Sequence, residues 1–315
     1  GSPEVLDPND VAAHALPMAF VNSVLSWGSP FETETYEPVY LANGTFGGMV
    51  DLSGAHMKLW SNRIVGLPRT APHEFPVRYP VTALRLQALY RNKYWRAAGF
   101  WIGRHNLLCN DPAYIAFPGI PHQAQVYDCK QRLDLGSGCL HTAGTLYPGT
   151  QPALEANPGD ERAVPFETRV AFLKDSTAMA LDLTAPDDVD ILLLPETVLE
   201  ESFCLNVSGP SIHGLGNAIK CNLQFSQRLL EQSATEGRIF YELMPEGGEP
   251  YRILVRAPGA TVETIHGTPG LVAKGRLLCR IEIYPVAETR QAESSPEAEN
   301  LFAENTRRWA AFWNH

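Results

Sequence analysis

The most chemically mixed stretch of the sequence runs from Tyr90 to His105, YRNKYWRAAGFWIGRH, where Arg91, Lys93, Arg96, Arg104 and His105 are interleaved with Tyr94, Trp95, Phe100 and Trp101. Pyranose rings stack their C–H faces on aromatic side chains while Arg, Asn and His bond the hydroxyls. Trp95, Trp101 and Arg104 are therefore candidates for a saccharide-binding or interdomain surface. The other reading is that these aromatics fill or seal a core while the Arg and Lys stems lie along it. A second stretch, YLANGTFGGMV from Tyr40 to Val50, crowds Gly44, Gly47 and Gly48 between two apolar runs. A phosphate cradle needs backbone N–H groups at a helix start, but the residues that follow, DLSGAHMKLW, read as strand and turn. Asn43-Gly44 is instead a hairpin signal with positive φ open to both residues, and Gly47-Gly48 would relieve crowding against a neighbouring backbone.

Catalytic signatures are lacking. The sequence has no GxSxG elbow, no GxxxxGK[ST] loop and no HExxH, and HGLGNA at 213–218 lacks the third glycine of a dinucleotide fingerprint. The nine histidines are scattered and read as surface or hydrogen-bonded residues, and the doublets Asp187-Asp188 and Glu200-Glu201 read as solvated turns. No cofactor or metal site is expected, because the six cysteines are dispersed without zinc spacing. They read as buried thiols, with Cys129 and Cys139 the pair whose separation suggests a hairpin bridge. Two sequons, Asn43-Gly44-Thr45 and Asn206-Val207-Ser208, have the residue types of coincidental matches.

The formal net charge of -10 opposes binding to a phosphate backbone, and no apolar run approaches the roughly 20 residues of a membrane span, so neither nucleic acid nor membrane is an expected partner. With 315 residues the chain can bury a large core without staples. Gly1-Ser2 reads as a protease cleavage remnant, so both a secreted and a cytoplasmic location are compatible with the sequence.

The elements that position these residues are strands. Period-two alternation recurs at Thr82–Tyr90, Val164–Phe172, Met179–Leu183, Arg238–Leu243 and Ile253–Val255, punctuated by 25 prolines and 25 glycines. Many short strands without interspersed helices predict an all-β protein of antiparallel sheets packed face to face, larger than an immunoglobulin domain. The composition changes after Pro285. Ser295 as N-cap, Pro296 at the first helical position and Glu297 and Glu299 in the first turn predict a helix. Its apolar residues Leu301, Phe302, Trp309, Phe312 and Trp313 need a surface. Either they pack back on the sandwich or the helix leads into a further domain.

Four segments in order, YEPVYLANGTFGGMVDLSG, VYDCKQRLDLGSGCLHTAG, VPFETRVAFLKDSTAMALDLTAPDDVDILL and NTRRWAAFWNH, resemble the N-terminal part of family 65 glycoside hydrolases and phosphorylases, and more loosely family 95 fucosidases. Asn43-Gly44 with Gly47 matches the first family motif, Leu133-Asp134-Leu135 with Gly138 and Leu140 the second, and Trp309 to Trp313 the linker helix. The resemblance implies a large super-β-sandwich of the galactose-mutarotase type over residues 31–290, after a lead-in segment at 1–30. Residues 291–315 would begin a helical linker to an (α/α)6 barrel that carries the catalytic groups. The partners implied are that barrel and a carbohydrate, and Asn43 and Phe46 would line a pocket shared with the barrel. A free-standing carbohydrate-binding module would instead present Tyr94, Trp95 or Trp101 as an exposed platform. A mutarotase-like epimerase would need a His and a carboxylate converging in one cleft.

Overall fold

The computed structural model describes residues 39–50, 54, 57–67, 79–92, 95–100, 122–148, 164–207, 219–265, 267–288 and 298–313. Along the chain run β1 (Val39–Ala42), β2 (Phe46–Val50), β3 (Met57–Gly66), β4 (Tyr79–Asn92), β5 (Trp95–Phe100), β6 (His122–Asp134), β7 (Cys139–Pro148), β8 (Val164–Phe172) and β9 (Ala178–Thr184). They are followed by β10 (Asp190–Thr197), β11 (Glu200–Val207), β12 (Ile219–Thr235), β13 (Arg238–Pro245), β14 (Tyr251–Arg256), β15 (Thr261–Ile265), β16 (Thr268–Lys274) and β17 (Arg276–Pro285). One helix, α1 (Ala298–Trp313), closes the described chain.

The strands form two layers. In the first, β1, β2, β3, β4, β10, β16 and β15 pair in that order. In the second the order is β6, β7, β8, β9, β17, β14, β13, β12 and β11. Between them lies β5, antiparallel to β4 and parallel to β6. Among the described strands this is the one parallel pair, at the fold where one layer passes into the other. The large antiparallel sandwich expected from the alternation is thus present.

The alternation has its usual physical cause: residues i and i+2 share a face of a pleated strand, so each strand supplies one face to the core. Val164, Phe166, Val170 and Phe172 of β8 are buried, while Pro165 and Glu167 between them are exposed. One continuous core runs between the layers, from Phe46, Leu59 and Leu84 on the first to Leu140, Leu181, Tyr241, Ile253 and Ile281 on the second. Phe46 meets Phe172 across the layers, edge to face, with ring centroids 5.0 Å apart. Burial of such side chains contributes about 1.5–3 kcal/mol each. The hairpin bridge between Cys129 and Cys139 does not form. Cys139 is a free thiol set opposite Asp134 on β6, so Cys129 lies about 17 Å further along that strand. Burial pushes the Cys139 thiol up to about 12, outweighing the nearby Arg169 charge.

The helix lies on the outer face of the second layer, over β8, β9 and β17. Leu301 is buried against Leu173 and Ala180, with Phe302 beside it. Of the two fates expected for the apolar stripe, packing back on the sandwich is realised for Leu301, Phe302, Trp309 and Trp313, whereas Phe312 keeps 49% of its surface exposed. The expected cap residues Ser295 and Pro296 lie outside the described residues.

Candidate functional site

The turns between β1 and β2, β6 and β7, and β8 and β9 meet at one end of the sandwich, where α1 crosses them. The first turn is a hairpin, as Asn43-Gly44 suggested, but its conformation differs from the expected one. The Asn43 N–H donates to Phe46 O at 3.0 Å, which makes Gly44 and Thr45 the central residues. Only Gly44 has positive φ, at 93°. A single positive φ at the first central position is the pattern of a type II′ turn rather than I′. Asn43 stands outside the two central positions, where ordinary φ is expected, and its side chain takes the place of the backbone acceptor: Oδ1 accepts from the N–H groups of Phe46 at 2.8 Å and Thr45 at 3.0 Å. The two glycines that follow are needed for space. A Cβ on Gly48 would stand 2.7 Å from Leu59 Cδ2 and 2.9 Å from Phe172 Cζ, and one on Gly47 3.1 Å from Leu41 O.

The other half of the Asn43 amide reaches the β8–β9 turn. Nδ2 donates to Leu173 O at 2.6 Å and to Ser176 O at 2.7 Å. That turn contains Asp175 at φ 58°, a left-handed conformation that Asp tolerates better than most residues. A glycan on Nδ2 would displace these bonds, so in the folded domain this sequon is occupied structurally.

Asn305 of α1 holds the β8–β9 and β6–β7 turns together. Its Oδ1 accepts from Lys174 N at 3.0 Å, and its Nδ2 donates to Ser137 O at 2.7 Å. Arg308 Nη1 adds a bond to Lys174 O at 2.8 Å. Within the β6–β7 turn, Asp134 accepts from Gly136 N at 2.9 Å and Ser137 Oγ at 2.7 Å, an Asx turn that explains the Asp of its motif. Gly138, at φ 62°, lies under Trp309, whose Nε1 would be 2.3 Å from a Cβ there. Trp313 Nε1 donates to Leu135 O at 3.1 Å. The three aromatics of the last helical turns cluster, with Trp309 stacked on Trp313 at 6.2 Å and Phe312 edge-on to Trp313 at 5.1 Å. Lys174 Nζ sits 5.1 Å above the Phe312 ring.

Of the expected site residues, Asn43 belongs to this cluster as a connector. Phe46, 1% exposed, is a core residue beneath it. Trp95 lies on β5 with its side chain outside the described residues, and Trp101 and Arg104 lie outside them altogether. Asn305 escaped the sequence reading, although the signal was present: it stands four residues after Leu301 and four before Trp309, in the apolar stripe.

At this end Asp134 accepts bonds within its own turn, and Asp175 pairs with Lys174 at 2.7 Å. Several charged groups elsewhere are paired. On the outer face of the second layer Asp182 is held between Arg169 and Arg276. Burial pushes its carboxyl up, but hydrogen bonds from the two guanidiniums outweigh burial and hold it below the usual carboxylate range. His141, opposite both Arg132 and Arg169 across the strands, is lowered by burial and by the Arg169 charge. Arg280 and Glu282 form a pair on β17, each 3% exposed at the side chain, and burial raises Glu282 despite Arg280. On the inner face, Gln131 Nε2 donates to Thr142 Oγ1 at 3.2 Å. Gly54 closes over Thr142 and Thr168 there, so that a Cβ would lie 2.1 Å from Thr168 Oγ1.

No protein-family model and no curated protein matches the sequence. The fold does have solved counterparts. One, "Putative kojibiose phosphorylase from human microbiome", superposes with a TM-score of 0.52 at 10% sequence identity, over 95% of this chain. The chain spans 39% of the length of that protein, and what the two share is the architecture of an all-β sandwich with a C-terminal helix.

Proposed function

We propose that this chain is the N-terminal, non-catalytic β-sandwich of a carbohydrate-active enzyme, a glycoside hydrolase or glycoside phosphorylase acting on oligosaccharides, and that its turn-and-helix end supports a following α/α barrel. The observation that carries the reading is the convergence at that end. The segments holding Asn43, Leu133–Leu140, Leu173–Ser176 and Asn305–Trp313 are separated along the sequence by up to about 270 residues, yet they join through Asn43 and Asn305 into one bonded surface. That surface ends in partly exposed apolar groups, with Phe312 49% and Leu135 37% exposed. The likeness of fold to a longer phosphorylase supports the same reading.

The test compares this chain with the protein extended through the proposed barrel in assays of glycoside hydrolysis and phosphorolysis. Activity confined to the extended protein is expected. Turnover by this chain alone overturns the non-catalytic role. Micromolar glycan binding by this chain in isolation would favour a free-standing carbohydrate-binding module instead.

A further inference from the structure

The outer face of the second layer carries a cluster of cations beside α1, and strand pairing fixes where each one stands. Arg132 of β6 is opposite His141 of β7, His141 is opposite Arg169 of β8, and Arg169 is opposite Asp182 of β9. One step along the face, Lys130 is opposite Ala143, Ala143 opposite Glu167, Glu167 opposite Thr184, and Thr184 opposite Arg276 of β17. Asp182, 4% exposed, accepts from two guanidiniums at once. Arg169 reaches it through Nε at 3.2 Å and through Nη2, and Arg276 through Nε at 2.9 Å and Nη2 at 3.2 Å. This one buried carboxylate holds both guanidiniums in place but offsets the charge of only one, and their side chains stay 42% and 49% exposed. The Phe302 ring, 4.6 Å from the Arg169 guanidinium, closes the side towards α1. Lys130, Arg132 and His141 are exposed, and among the described residues neither Lys130 nor Arg132 has an ion-pair partner. Of the carboxylates on this face, Asp134 is engaged by its own turn and Asp182 by the two arginines, which leaves Glu167. Positive charge therefore prevails around His141, on a chain whose formal net charge is -10.

We propose that this cluster is a binding site for a phosphate group, held among Arg132, His141, Arg169 and Arg276. The ligand follows from the arrangement. Guanidiniums present paired N–H donors that match phosphate oxygens, and here they come from β6 on one side and from β8 and β17 on the other. Between them lie His141 and the short, exposed side chains of Ala143 and Thr184. Arg132 and Arg169 are two strand spacings apart, roughly 10 Å at Cα, a gap that two long side chains close around one anion. A tetrahedral phosphate offers oxygens to both sides of that gap, whereas a carboxylate offers both of its oxygens in one direction. Asp182 is the positioning residue, since it fixes the Nε edges of Arg169 and Arg276. Glu167 opposes the anion, so binding belongs in the millimolar range. The proposal does not depend on the proposed function.

Titration of this chain with inorganic phosphate at constant ionic strength, followed by NMR on the His141 ring, tests it. In the free chain burial and the Arg169 and Arg132 charges lower the His141 pKa, against Asp134 and Glu167. Bound phosphate should move that pKa up, saturably, and leave the other histidines in place. Arg132→Gln removes an exposed cation and should weaken phosphate binding at least about tenfold, with circular dichroism checking that the fold is kept. Glu167→Gln should tighten it, a gain that a purely structural charge network would not give. Glycerol phosphate and acetate are the comparison ligands. Glycerol phosphate binding at least as tightly as inorganic phosphate identifies the group as that of a monoester, and tighter binding of inorganic phosphate identifies the free ion. No saturable shift at His141, acetate bound as tightly as phosphate, or an affinity indifferent to either charge variant overturns the proposal.

Discussion

The side-chain amide of Asn43 donates to the main-chain carbonyl of Ser176 at 2.7 Å, although the two residues are 133 positions apart in the chain. The same side chain closes its own hairpin, so one residue fixes a local turn and ties the two layers of the sandwich at one end.

Asn43→Ala removes both functions. It deletes the acceptor for the Thr45 and Phe46 N–H groups and the donor to Leu173 and Ser176, in a half-buried site. The expected cost is about 2–3 kcal/mol, read as a lower urea midpoint at unchanged slope. Asn43→Asp keeps the acceptors but sets a carboxylate against two carbonyls, so it should not rescue. Unchanged stability in both variants would remove Asn43 from its connecting role.

Asn305 is 1% exposed and bonded at both ends of its amide. Asn305→Leu suits the apolar stripe yet strands Lys174 N and Ser137 O, and should cost about 2–4 kcal/mol. Gly138→Ala attacks the same contact from the other side. A Cβ there meets Trp309 at a φ of 62°, so a loss of about 1–3 kcal/mol with a change in tryptophan emission is expected. An Asn305→Leu protein as stable as the parent would show that α1 is held by its apolar residues alone.

The Asp182 carboxyl titrates below its ordinary value of 3.8 in the folded chain. Its stabilisation is therefore fully present above that value and is lost as pH falls through the lower folded one. Asp182→Asn should lower stability near neutrality, and the difference from the parent should shrink with acidification below about pH 4. Glu282 has the opposite sign. Its folded carboxyl is raised above 4.5, so the cost of ionising it sets in as pH rises from below 4.5 through the raised value and is relieved on acidification. Urea titrations at a series of pH values separate the two, and a constant difference between Asp182→Asn and the parent across the acid range would refute the first.

Leu135 and Phe312 are the exposed apolar ends of the proposed supporting surface. Leu135→Glu with Phe312→Glu removes the Phe312 contacts with Trp313 and Lys174, so a cost of about 1–3 kcal/mol to this chain is expected, and the extended protein should lose more. In the protein extended through the proposed barrel, the same pair should lower thermal stability and turnover together. Equal behaviour of the extended variant and its parent would detach this surface from that role.

Much of the architecture was legible locally. Strands such as Val164–Phe172 and Met179–Leu183 announced themselves because a pleated backbone sends alternate side chains to opposite faces, and a half-buried sheet sorts polar from apolar residues at that period. The hairpin at Asn43-Gly44 and the helix carrying Leu301 and Trp309 were legible for the same reason: each depends on conformational preferences within a few residues. Long-range choices left no such mark. Nothing near Asn43 says that its amide will meet Leu173 and Ser176, or that the turn will centre on Gly44 and Thr45 with a single positive φ where two were expected. The Asn305 pattern was visible as a polar break in an apolar stripe, but only the packed turns reveal which carbonyl and which N–H it satisfies. Periodicity encodes which face of an element is buried. Which distant element buries it, and which edge is left uncovered, is decided by the simultaneous packing of all the strands, a property that no short window of sequence contains.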